Sequence, residues 1–485
     1  MTDTRHAVRQ TAWVAGGTYA KTLISFAANI VLMRLIAPEH FGLLAMAVFF
    51  LTLGRKLLGF GFNHALIHRQ DNLDRYAPTH FALHGLTAAL IIVATALSYP
   101  LVKNHYGYET ASALIALAIF GAFEAVGHTP RILLEKNINF SPLVKLDLIN
   151  IVASNAIGIA LALCGFGWQA LVGRQAAAWI IQSLGAWKLL PAMPGWRPSL
   201  ESGRWFMRFG KPMWIAGIAT LTALQFDDFL VGSLDSKTAL GYYSRAYALA
   251  VLPTAMITHI VTRVAFPIYA GLQNDRERLS RAFGRVLRFI VNTTTPMGVL
   301  MALAATELVP LFFGERWLPM TPLFRLLLIY TCLRPIYDDC GQLFTALGRP
   351  EESSRILVHQ AAFVLVTCPP LTWQFGAGGA AVSVGLAMLL GVVQAYQRAL
   401  RYVNLDLRQS FIPPAVAATV AAAGVFAVLH FAGFEGLITL LAAKTVVFTS
   451  IFVLVLVLMQ GGRIAEDIRF IQNGLRAKSH EGESQ

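Results

Sequence analysis

Charge is scarce in this 485-residue chain: Asp, Glu, Lys and Arg together make up 13% of it, and cysteine occurs only four times. So little charge excludes a soluble multidomain protein, which devotes roughly a quarter of its residues to those four types. Cys164, Cys332, Cys340 and Cys368 fall in apolar segments without zinc or redox spacing, so they read as small core residues. Gly376, Gly378 and Gly379 follow no strand and open no phosphate-binding helix, which argues against a nucleotide loop. The histidines show no metal-ligand spacing. No cofactor and no catalytic residue is expected.

What the chain has in abundance is apolar sequence: 56% of its residues are hydrophobic, and its mean hydropathy is +0.58. That composition predicts an all-α integral membrane protein. About fourteen apolar runs recur, each of the roughly 20 residues that a bilayer core requires. The first, near 12–36, is too long for a signal-peptide core and is expected to remain as a helix. The net charge of +13 follows from Lys and Arg gathering in alternate loops, such as Arg69 with Arg75, Arg204 with Arg208, and Arg276 with Arg278. Those loops are assigned to the cytoplasm, which puts both termini inside and leaves only short outer loops. The surplus therefore does not point to nucleic acid.

Within the second run, 41–66, Arg55 and Lys56 stand near the middle, among Gly54, Gly59 and Gly61. A lipid-facing cation at that depth costs roughly 2.5–3.5 kcal/mol, so a wet cavity or a counter-ion is expected. With Lys21 in the first run and Arg245 in the eighth, these make four candidate lining cations for an anionic passenger. Glu124, Asp227 and Asp228 are candidates for ion coupling or for neutralising the cations, and Asp338 pairs with Arg334 one turn away. Lys145 and Asp147, two apart, cannot face each other. His259, Arg263 and Arg288 sit at helix ends and are expected to snorkel.

The expected organisation is an N-terminal lobe at 1–190, an interfacial linker at 191–209, a C-terminal lobe at 210–400, two extra helices at 401–460, and an amphipathic tail at 461–485. In the tail, Ile464, Ile468, Ile471 and Leu475 recur at helical spacing. A shift of 199 residues lays PEHFGLLAMA over KTALGYYSRA, setting Gly42 on Gly241 and Asn29 on Asp228, as in a parallel repeat.

The stretches MRLIAPEHFGLLAMA, GFGFNHALIHRQD, PRILLEKNINFSPLVKLD, DDFLVGSLDSKTALGYYSRAYALAVLP, LFFGERWLPMTPLFRLL and FTALGRPE, in that order, resemble bacterial oligosaccharide flippases. These form the polysaccharide-transporter branch of the multidrug/oligosaccharidyl-lipid/polysaccharide exporter superfamily. The resemblance implies two pseudo-symmetric six-helix lobes around a central cavity, plus two C-terminal helices. It implies alternating access for an undecaprenyl-pyrophosphate-linked oligosaccharide in the bacterial inner membrane, in contact with lipids and with polymerase or assembly proteins, and a monomer. Similar lipid II flippases carry cavity cations on the first, second and eighth helices, roles that Lys21, Arg55 and Arg245 could fill; Thr22 replaces the acid expected after Lys21. The alternatives are a cation-coupled multidrug antiporter, which wants an acidic cavity, and a membrane-embedded glycan polymerase or transferase, which the short outer loops disfavour.

Overall fold

The computed structural model describes residues 20–136, 140–191, 197–432, 436–470 and 472, and among these it contains helices and no strand. Helix α1 covers 20–35. It is followed by α2 (Pro38–Leu58), α3 (Phe62–His68), α4 (Leu73–Lys136), α5 (Phe140–Leu163), α6 (Trp168–Leu189), α7 (Leu200–Leu234) and α8 (Lys237–Gly271). Then come α9 (Arg276–Leu303), α10 (Ala305–Phe313), α11 (Thr321–Ala346), α12 (Glu351–Ala399), α13 (Leu407–Ala432) and α14 (Leu437–Gln460). The long α4 and α12 are each two helices joined across a glycine in the left-handed region, Gly107 at φ 81° and Gly376 at φ 57°. Counting their limbs separately and setting aside the short α3 and α10 gives fourteen helices among the described residues, the number expected from the apolar runs. Eight of the helices are long and apolar enough to cross a membrane. Helices such as α6 and α11 carry Arg174, Arg334 and Asp338, whose charge must be met inside the bundle. Large apolar side chains, including Leu97, Val366 and Leu458, point outward, as lipid contact requires.

The chain forms two compact units, Met1–Gly241 and Tyr242–Gln485. In the first, Leu43, Ala47 and Leu51 of α2 pack on Leu114 and Leu117 of α4 and on Trp179 of α6. In the second, Tyr269, Phe283, Ile290, Leu343 and Tyr396 join α8, α9, α11 and α12, while Ala421 of α13 and Phe452 of α14 make a satellite core. Lys444 of α14 donates to Glu307 at 2.7 Å, both nearly buried, and pins the last helix to α10. The expected linker, 191–209, is helical from Leu200 and continuous with α7, capped by Ser199 accepting from the Ser202 amide; its Trp196 lies outside the described residues.

Helices α2 and α8 meet at their first turns with backbones in contact. A Cβ on Gly42 would strike the Lys237 carbonyl, and one on Gly241 would strike the Pro38 carbonyl. Glycine is required there by proximity alone.

The apolar run 41–66 does not form one span. Helix α2 ends at Leu58, and Gly59, capping it, returns its amide to the Arg55 carbonyl at 2.8 Å. Phe60 and Gly61 then take positive φ, 35° and 65°, and α3 begins. Arg55 and Lys56 therefore occupy the last turn of α2 rather than the middle of a span, and there the helix dipole favours a cation.

Two other expectations change. Arg288 does not snorkel: its Nε and Nη2 donate to the two oxygens of Asp467 at 2.8 and 2.9 Å. The tail, helical over 463–470, accordingly packs on α9 through Asp467 and Phe470, over whose ring Arg285 lies at 5.3 Å, while Ile468 faces outward. Ile471, Leu475 and the side chains of His259 and Arg263 lie outside the described residues. An Asp467→Ala variant leaves Arg288 without its bidentate partner, a loss of about 2 kcal/mol. Limited proteolysis is expected to cut its tail several-fold faster than in the wild type; equal rates would show that the clamp contributes nothing.

Candidate functional site

The end of α2 forms one wall of a cavity of about 390 Å³ in the first unit. Arg55 and Lys56 come from α2, and Phe62, Asn63 and His64 from α3. His84, Thr87 and Ile91 line it from the first limb of α4, Gly121, Ala125 and His128 from the second, and Met213, Trp214 and Gly217 from α7. The turn at 59–61 shapes the floor. Phe60 stacks on Trp214 at 5.3 Å, Trp214 Nε1 donates to the Leu57 carbonyl at 3.0 Å, and a Cβ on Gly61 would stand 2.7 Å from Met213 Cβ. The local break in the helix thus serves to seat α7.

The two adjacent cations differ in their surroundings. Arg55 Nη1 lies 2.6 Å from Glu124 Oε2, and its guanidinium lies 5.0 Å from the centroid of the Trp179 ring. Gly121 makes room for it, since a Cβ there would sit 2.6 Å from Nη2. Lys56 is exposed to the cavity side and has no ion pair among the described residues; its chain runs beside Gly217. One cation is therefore held and partly neutralised, and the other is available. A cation free on a flexible stem and a second in a planar fork can together grip a two-centred oxyanion.

Lys21 lies elsewhere. With Ser25, Asn150, Ser154, Asn155, Arg174 and Gln175 it lines a second cavity, of about 280 Å³, between α1, α5 and α6. Asp147 is the hub of that region: Lys21 Nζ donates to it at 2.9 Å, Arg131 Nη1 at 2.9 Å and Gln182 Nε2 at 3.3 Å. Four helices, α1, α4, α5 and α6, meet on one carboxylate. Arg174, which sequence reasoning did not single out, donates to Asn29 at 3.0 Å.

Asp227 is buried and Asp228 half-buried on α7, and neither lines the Arg55 cavity. Arg245 is half-buried on α8 in the second unit. Also in that unit, Arg334 donates to Asp338 at 2.8 Å and to the Tyr330 hydroxyl at 2.7 Å, and Thr258 donates to Asp338 at 3.1 Å, which closes a network across α8 and α11. Asp339 beside it is fully buried and accepts from the Tyr269 hydroxyl at 2.8 Å.

Sequence reasoning missed the histidines. His80, His84 and His128 form a file, with ring centroids 4.4 Å apart between the first two and 5.0 Å between the last two. The i,i+4 spacings of His80 with His84 and of Glu124 with His128 were the available signal, because each pair must share a helix face.

The fold is that of a polytopic helical membrane protein with a cavity among its helices. Over 93% of the chain its structure superposes on the inward closed conformation of the lipid II flippase MurJ, covering 99% of that protein at a TM-score of 0.76 and 13% identity. It also superposes on an inward-facing multidrug resistance MATE family transporter of the MOP superfamily, with a TM-score of 0.60, 17% identity and coverage of 79% and 96%. Residues 31–322 match the family model described as Polysaccharide biosynthesis protein, and the chain belongs to that family. It is 27% identical over 301 residues to the teichuronic acid biosynthesis protein TuaB of Bacillus subtilis, a stretch covering 61% of this chain and 62% of TuaB. It is 24% identical to the lipopolysaccharide biosynthesis protein WzxC of Escherichia coli over 79% of each. Similarity to the succinoglycan biosynthesis transport protein ExoT of Rhizobium meliloti is 25% identity over 67% of each.

Proposed function

We propose that the chain is a flippase, not an enzyme, that carries undecaprenyl-pyrophosphate-linked oligosaccharide units from the cytoplasmic to the periplasmic leaflet by alternating access, for surface polysaccharide assembly. The observation that carries this reading is the cavity at the end of α2, where Lys56, without an ion pair among the described residues, and a paired Arg55 offer two cations to a diphosphate. Membership of a polysaccharide biosynthesis family supports the cargo class. In this reading lobes 1–190 and 210–400 exchange access, the helices of 401–460 and the tail stand outside the cycle, and both termini are cytoplasmic, so the cavity loads from the inner leaflet of the bacterial inner membrane. Lys21 and Arg245 serve the same cargo at other stages. A cationic drug would be repelled by this cavity, which disfavours the antiporter.

A strain lacking the chain is expected to lose surface polymer and to accumulate lipid-linked repeat units that an external glycosidase cannot reach until the cells are opened. Unchanged surface polymer would overturn the proposal. Orientation is tested separately with single cysteines in a background without the native four. One beside Lys237 is expected to react with an impermeant thiol reagent from outside, and one beside Arg278 only from inside.

A further inference from the structure

The file of imidazoles beside the cavity has no part in the reading so far, and its hydrogen bonds show how each ring is set. Both ring nitrogens of His80 have partners, Nε2 with the Asn63 side-chain oxygen at 3.2 Å and Nδ1 with the Thr129 hydroxyl at 2.8 Å. His80 is thereby held at both nitrogens. His84, next in the file, is buried, yet its Nε2 has no hydrogen-bond partner among the described residues and the ring lines the cavity. His128, also on the wall, stands one turn beyond Glu124, the carboxylate that holds Arg55.

We propose that His84 and His128 together form a proton-binding site whose occupancy is linked to anion binding in the Arg55–Lys56 cavity. The proposal rests on the diphosphate reading above and adds a second ligand, the proton. Two imidazoles at 5.0 Å repel when both are charged, so the pair holds one proton at a time. The groups that face it decide the sign. Arg55 and Lys56 of α2 and Arg131 of α4 oppose a further positive charge, and the imidazoles of His64 on α3 and His80 on α4 also face the site. Glu124 alone favours it, and α7 contributes no titratable group to the wall. An empty cavity therefore disfavours the proton, and a bound anion, offsetting those cations, favours it. A protonated His128 also competes with Arg55 for Glu124 and frees the guanidinium for the anion. Proton and anion bind better together, and linkage makes the effect reciprocal.

The test uses full-length protein in nanodiscs and a farnesyl-diphosphate-linked monosaccharide, whose doubly esterified diphosphate does not itself titrate where imidazole does. Wild-type affinity is expected to fall about tenfold per pH unit as pH rises through the site, the slope of one linked proton. Calorimetry in two buffers of different ionisation enthalpy is expected to show up to one proton taken up per anion bound. His84→Gln and His128→Gln are expected to flatten the pH slope. The two-buffer measurement needs no variant, so it decides the matter even where a variant folds poorly. Binding with no proton uptake, or a slope shared by wild type and both variants, would overturn the linkage alone. No binding at any pH would overturn the linkage and the diphosphate reading together.

Discussion

Lys56→Gln is expected to cut surface polymer per folded molecule at least about tenfold while leaving the amount of folded protein unchanged, because the loss of one charge-assisted bond to phosphate is worth roughly 1.5–3 kcal/mol. Lys56 makes no ion pair among the described residues, so its loss strands no carboxylate among them. Arg55→Gln should behave differently. It strands Glu124 and empties the place over the Trp179 ring, and so lowers folded yield as well as export. Adding Glu124→Gln removes the stranded charge, and the double variant is expected to regain yield but not export. Polymer output normalised to monodisperse protein on size exclusion separates the two effects. Normal export per folded molecule from Lys56→Gln and from the Arg55→Gln, Glu124→Gln pair would show that these cations only organise the helix end.

Asp147→Leu is expected to be the most destabilising single change in the first unit. It leaves Lys21 and Arg131 facing each other without the carboxylate that both donate to, and it deprives Gln182 of an acceptor. Removing one partner of a buried pair costs about 3–5 kcal/mol, and the part-exposed cations put this case at the lower end, about 3 kcal/mol. The readout is the midpoint of thermal unfolding in detergent, expected to drop by several degrees. Lys21→Met in the same chain should restore part of the loss, since Arg131 keeps Glu135 at 3.0 Å and the cation left without its carboxylate is Lys21. A midpoint unchanged by Asp147→Leu would mean that the cations find other acceptors.

The helical membrane class and the number of spans were legible because the bilayer imposes one length on every apolar run. Arg55 and Lys56 were legible as cavity residues for the same reason: two adjacent cations in an apolar run need a partner or water. Their depth was not. The sequence Gly59-Phe60-Gly61 reads equally as a flexible stretch of one helix or as a turn between two, and the choice is made by Trp214 and Met213 of α7, some 150 residues on. Arg288 and Asp467 are separated by 179 residues, and no local pattern joins them. The histidines were hidden for a different reason. His84 and His128 lie on two limbs of α4, and only the reversal at Gly107 brings them side by side.

The crossing of α2 and α8 has a reciprocity that packing alone does not demand. Pro38 meets Gly241 and Lys237 meets Gly42, and the 199-residue offset that turns 38 into 237 also turns 42 into 241. Exchanging the two copies of the motif reproduces the same pair of contacts, which is the defining property of an isologous interface in a homodimer. The demand for glycine is written twice in one chain, so a side chain at either glycine pushes apart the same pair of helix starts.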